Sequence, residues 1–183
     1  MIKSNSLRLL LCFFIISNFA ISQNSRIKCY FNKPVNNGLA TVGNAIYLNG
    51  TFPDTIAAYI DRAKFTLDIA VYNTTSNGTD VIKTKILTAV NNAYNRGVIV
   101  RWVFDSSSSN TGLQYLNSAI PKIGSPTSSS YGIMHNKFIA IDVNSANADD
   151  AFLISGSYNF SVQQTNTDYN NIIIIQDKAV ATA

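Results

Sequence analysis

No glutamate occurs anywhere in this chain; all ten acidic side chains are aspartates, so any mechanism that needs a glutamate is closed to it. Histidine is almost as scarce, with one copy at His135, and one histidine with two cysteines falls short of ordinary zinc sites. Scattered aspartates leave calcium open, although no loop has EF-hand spacing. Charged residues make up only 13% of the chain while 46% is apolar, which describes a globular protein and excludes a disordered one. No apolar run is long enough for a comfortable transmembrane span.

The front of the chain reads as a targeting segment. Lys3 and Arg8 form a positive region, "LLLCFFII" is a short apolar run, and "AIS" before Gln23 places small residues where a signal peptidase reads. Residues 1–22 are therefore expected to be a signal peptide, and the protein to be exported, secreted or periplasmic. An uncleaved anchor is the alternative. A lipoprotein is disfavoured because Leu9, Leu10 and Leu11 before Cys12 include no small residue. Removing the leader leaves 12 basic against 10 acidic side chains, a net +2 that is too weak to name nucleic acid as partner on charge alone. Cys12 leaves as well. Cys29 then stands alone, no internal disulfide forms, and stability must come from packing.

Residues 23–44 are polar, broken by Pro34 and "NNG", and read as a lead-in with one short strand. Residues 45–183 read as one domain. "AIYLNG" is a candidate strand. "PDTIAAYIDRAK" carries apolar side chains at helical spacing, with Asp54 as the expected cap. "FTLDIAVYN" is rich in β-branched and aromatic residues and reads as a strand. A second helix is expected from about Thr79 to Arg96, closed by Gly97. "VIVRWVFD" reads as a strand buried on both sheet faces, with Trp102 in the core. "GLQYLNSAI" reads as a short helix, "GSPTSSSYG" as a flexible linker, and "FIAIDV", "AFLISGS" and "NNIIIIQD" as three further strands. Strands alternating with helices argue for an α/β sandwich. The chain stops at "KAVATA" soon after an apolar strand, which suggests a cut before a closing helix.

Chemistry concentrates in "MHNKFIAIDVNSANADDAFLISGSYNFS". Side chains alternate along a strand, so His135 and Lys137 share a face while Asp142 falls on the other and takes a supporting role. Ser157 and Asn159 share a face after the flexible Gly156. If the two strands are neighbours, these groups converge on a polar patch that needs a ligand or water to satisfy it. Phosphoryl transfer suits the set, because a neutral imidazole attacks phosphorus while lysine and asparagine hold the non-bridging oxygens. Asp105 ends a strand, where open α/β sheets place ligands, but reads more simply as a turn aspartate. The tyrosines read as packing residues.

The pattern His135-x-Lys137, four residues, Asp142, then Gly156-Ser157-x-Asn159 resembles the HKD motif of the phospholipase D superfamily. Upstream, "IDRAKFTLDIAVYN" and "ILTAVNNAYNRGVIVRWVFD" are similar to the family's segment ending in A-x-x-R-G-V-x-V-R, so the likeness runs from about Ile46 to Gln176. The resemblance implies an α/β fold, a phospholipase D-like mixed β-sheet flanked by helices on both faces. It also implies a phosphodiesterase that uses no metal or other cofactor. His135 would be the nucleophile, and water would hydrolyse the phosphohistidine. Lys137 and Asn159 would bind phosphate, with Asp142, Ser157 and Gly156 supporting. The implied substrate is phospholipid or nucleic acid, the latter for a nonspecific endonuclease. Many relatives carry a glutamate where this chain has Asn170, with Asp168 close by. The mechanism takes two histidines and the chain has one, so a homodimer with its active site at the two-fold interface is expected. A second motif beyond Ala183 is the alternative. Of a different class is a catalytically silent phosphate-ester-binding protein with the same fold.

Overall fold

The computed structural model describes residues 26–183 apart from 42, 128, 129 and 131, so the leader expected over residues 1–22, with Cys12, lies outside the described residues. The apolar, β-branched segments become eight strands: β1 (Ile27–Phe31), β2 (Ile46–Tyr47), β3 (Thr66–Val71), β4 (Ile99–Phe104), β5 (Lys122–Gly124), β6 (Lys137–Ile141), β7 (Phe152–Gly156) and β8 (Asn171–Ile175). They join in one mixed sheet of order β2-β1-β8-β7-β6-β3-β4-β5. β3, β4 and β5 run parallel to one another, whereas β6 is antiparallel to both β3 and β7, and β7 to β8. The expected α/β architecture, a mixed sheet with helices packed on it, is the one observed. β1, from the lead-in segment, pairs antiparallel with β8 along its whole length.

Parallel neighbours need a crossover, and the one between β3 and β4 is helical. A π-helical opening, Ile82–Leu87, runs into α2 (Thr88–Asn95), and Gly97 then takes the left-handed φ of 92° that ends such a helix. With α1 (Phe52–Ile60), this helix packs Ile56, Ile60, Ile82, Ile86 and Val90 against Leu67, Ile69, Val100, Trp102, Ile139 and Ile154. Asp54 is not the cap that the spacing predicts. Thr51 holds the cap position, so Asp54 falls in the first turn, where a carboxylate favours the helix dipole, and pairs with Lys85 at 2.7 Å.

β4 also departs from expectation. Val100 and Trp102 are buried, but Ile99 is 62% exposed and Arg101 is exposed too. The outer face of β4 is therefore open. There the Arg101 guanidinium grips Asp68 of β3 through Nε and Nη2, at 2.5 and 2.8 Å. "GLQYLNSAI" yields only a 3₁₀ turn, Thr111–Tyr115. Beyond β7 come α3 (Val162–Asn166) and, after β8, α4 (Lys178–Thr182), which is capped by Asp177 and packs on β6 and β7.

This topology gathers five chain segments at one edge of the sheet. The residues just after β3, β4 and β7, and those just before β6 and β8, all lie there.

Candidate active site at the sheet edge

Lys137 opens β6 opposite Val71, the last residue of β3, so its neighbours on that edge are His135 and Tyr72. Its ammonium donates to the His135 carbonyl at 2.9 Å and lies 5.2 Å from the centre of the Tyr72 ring. The edge of that ring meets the His135 imidazole, centres 4.9 Å apart at 64°. Main chain closes the group, with the Tyr72 N–H donating to the Asn136 carbonyl at 2.8 Å. Burial pushes the half-buried Lys137 ammonium below its ordinary pKa of 10.5, while the imidazole ring is exposed. Tyr72, expected as a packing residue, packs here against both His135 and Lys137. Its position immediately after a strand, where α/β sheets collect ligands, was the available signal.

Asp105, after β4, is only 1% exposed. One carboxylate oxygen accepts from the Met134 N–H at 2.6 Å and the other from the Ser107 N–H and hydroxyl. Burial alone would raise its pKa, but the Ser107 hydroxyl and the N–H groups of Met134, Ser107 and Ser108 hold it below the usual carboxylate range. Sequence reasoning found the turn but not the tether. Asp105 anchors the residue next to His135. Replacing it with alanine should loosen that segment and lower kcat about tenfold or more with KM less affected, measurable by steady-state kinetics on a variant whose circular dichroism is unchanged.

At the end of β7, the sequence needs glycine for room. A Cβ at Gly156 would stand 2.2 Å from the Asn171 backbone oxygen of β8. Gly156→Ala should therefore separate β7 from β8 and destabilise the fold by about 2–4 kcal/mol, read as a lowered urea midpoint. Ser157 turns toward β8, donating to Asn170 Oδ1 at 3.0 Å and accepting from the Asn171 N–H at 3.1 Å. Asn170 is buried; its amide donates to the Gln164 carbonyl and its N–H to Asn32 Oδ1. Asn32, from the lead-in, donates to the carbonyls of Gln164, Thr165 and Asp168. Asn159 is 7% exposed, its N–H is taken by Gln164 Oε1 at 2.8 Å, and its Oδ1 has no hydrogen-bond partner.

Asp142, expected in a supporting role off the His135 face, stands away from this site. It follows β6 whereas His135 precedes it, and a strand of that length separates them by about 20 Å. With φ at 52°, its carboxylate accepts the N–H groups of Lys64, Phe65 and Thr66 at 2.7–3.0 Å. The support it gives is to the start of β3.

Tyr72 and Asn159 also line an open cavity of about 610 Å³ between the loop after β3 and the loop around α3. Among the described residues, no three His, Cys or Asp side chains cluster as metal ligands would.

With this geometry established, known proteins give a consistent picture. The family described as cardiolipin synthase, PLD-like domain, matches residues 56–183. Among solved structures, the chain is similar to Nuc, a phospholipase D family member from Salmonella typhimurium, at 21% identity and TM-score 0.60, covering 85% of this chain and 86% of that one. NucT from Helicobacter pylori gives 21% identity and TM-score 0.55 over 70% of this chain and 79% of that one. Phosphatidylserine synthase from Haemophilus influenzae gives 15% and 0.58, covering 88% of this chain but 36% of the larger one. No curated protein matches the sequence.

Proposed function

Since the chain belongs to the PLD-like domain family, we propose that it hydrolyses phosphodiester bonds through a phosphohistidine at His135. The observation that carries this reading is the half-buried Lys137 ammonium held beside the only histidine at the sheet edge. An ammonium partly withdrawn from water binds phosphate oxygens more strongly than a solvated one. In the first step the imidazole nitrogen bonds to phosphorus as the bond to the leaving oxygen breaks. A second imidazole supplies the proton to that oxygen. Water, giving a proton back to the second imidazole, then attacks phosphorus, the P–N bond breaks, and His135 is regenerated. Lys137 and the Asn159 amide steady the negative charge throughout.

A twin chain would supply the second imidazole, since the sequence carries one histidine and that residue is exposed. Light scattering should give twice the mass of one leader-free chain; a fully active monomer would overturn the pairing. Export through the leader would bring the enzyme to extracellular or periplasmic diesters.

The decisive experiment is rapid quenching with a radiolabelled phosphodiester in EDTA. A transient label on His135, stable to base and lost in acid, is expected. Absence of both label and turnover, with phosphate esters still bound, would favour a silent binding protein. One observation supports that rival: the amide of Asn170 stands where relatives often have a carboxylate, and it is spent on Ser157 and Gln164.

Activity should also fall on the alkaline side earlier than a free lysine would allow. The working form of Lys137 is the ammonium, and burial lowers the pH at which it is lost, from an ordinary 10.5. The alkaline limb of kcat/KM should therefore lie below pH 10.5 and move upward in Lys137→Arg.

A further inference from the structure

Four stretches of the chain have the pattern Asn-x-Ser/Thr with no proline between: Asn49-Gly50-Thr51, Asn73-Thr74-Thr75, Asn77-Gly78-Thr79 and Asn159-Phe160-Ser161. In an exported protein this pattern accepts an N-linked glycan, a bulky and hydrophilic group that only the surface can accommodate. The fold closes two of the four. The Asn73 amide donates to the Ser108 hydroxyl and the Ser109 carbonyl, and an Nδ2 bearing a sugar cannot keep both bonds. Asn159 is buried. Asn77 is exposed but lines the cavity beside Tyr72, so a glycan there would obstruct its mouth. The hydroxyl of its own Thr79 is also spent, donating to Asn77 Oδ1 at 3.1 Å.

Asn49 meets none of these obstacles. It is exposed, in the turn just past β2, where Gly50 at a φ of 69° redirects the chain. Its Oδ1 accepts from the Tyr47 hydroxyl at 3.0 Å, a bond that survives substitution at Nδ2, and among the described residues Nδ2 has no hydrogen-bond partner. Thr51 is a separate sign. It is exposed and holds the N-cap position of α1, where a threonine side chain ordinarily accepts from the first turn, yet it makes no capping bond. The fold leaves that hydroxyl over, and the acceptor pattern requires it.

From these features we infer that Asn49 carries an N-linked oligosaccharide. The inference rests on export through the leader and is independent of the phosphodiesterase reading. The donor is an oligosaccharide joined through a diphosphate to a lipid carrier. Asn49 Nδ2 bonds to the anomeric carbon of the first sugar as the bond from that carbon to the diphosphate breaks, and the proton lost by the amide leaves with the diphosphate. The position suits a glycan. β2 is an outer strand of the sheet, and its Ile46 and Tyr47 are exposed. Such an edge invites pairing with another chain, and a bulky hydrophilic group at its end hinders that approach. Four strand spacings, about 19 Å, separate β2 from β6, so the sugar leaves His135 clear.

The test is expression of the full chain in a eukaryotic secretory host, with the protein recovered from the medium and run on a gel before and after peptide-N-glycosidase. Digestion should remove the mass of a single glycan, and mass spectrometry of the peptide spanning Asn49 should find it there in the native protein. Asn49→Gln and Thr51→Ala should each abolish the shift, whereas Thr51→Ser and Asn77→Gln should keep it. A variant retained in the cell is digested from the membrane-enclosed fraction, which gives the same comparison. A native protein with no shift, a shift that persists in Asn49→Gln, or one that Asn77→Gln removes would overturn the inference. A chain found neither in the medium nor inside sealed membranes fails the export reading first, and the site falls with it.

Discussion

Replacing His135 with asparagine should lower turnover of bis(p-nitrophenyl) phosphate by about 10⁴-fold or more, the scale seen when a covalent nucleophile is removed. Stability should hardly move. The imidazole is exposed, and its one ring contact is the edge of Tyr72, worth at most about 1 kcal/mol. That contrast makes the experiment decisive, because a histidine kept only for folding would show the opposite balance. Circular dichroism and the thermal midpoint should match the native protein while activity vanishes. Residual activity within tenfold of native would remove the imidazole from the chemistry.

Asp142→Ala should give the reverse pattern. Its carboxylate serves three backbone N–H groups, at Lys64, Phe65 and Thr66, and the side chain is itself buried. Hydrogen bonds to a charged group contribute about 1.5–3 kcal/mol each, and donors left without partners carry a further penalty. Alanine also tolerates the φ of 52° less well than aspartate does. A loss of about 3–5 kcal/mol is expected, seen as a lower urea midpoint. Activity per folded molecule should stay within a few-fold of native, since the residue stands a strand's length from His135. Asp142→Gly separates the two contributions: it relieves the backbone but restores none of the bonds. A variant of normal stability and no activity would place Asp142 in the catalytic group instead.

These two aspartate and histidine cases show what could be read before the fold was known. Lys137 and Gly156 fall within the strands that the sequence led one to expect, whereas His135 and Asn159 lie just outside β6 and β7, beyond the reach of a strict strand alternation. Asp142 has the same motif but the opposite role, since only the length of β6 shows how far it lies from the imidazole. The partners of Tyr72 and Asp105 were not legible, because they arise from pairing between strands distant in sequence. Tyr72 meets His135 through the antiparallel β3–β6 register, and Asp105 reaches Met134 across 29 residues. β5 was missed because three residues, "KIG", carry too little periodicity to announce a strand. The outer face of β4 misled in another way. Its apolar identity is real, but an Asp68–Arg101 pair shares that face, and residue type alone does not reveal what covers a sheet.

The side chain of Asn32 has a practical consequence for handling this protein. One amide near the front gathers three carbonyl groups more than 130 residues downstream, in the stretch that walls the cavity. Proteolytic clipping or a shortened expression product that removed the chain through that position would leave every motif residue present, yet free the far wall to drift. Preparations that differ only in where their first residue falls would then differ in how well that wall is held.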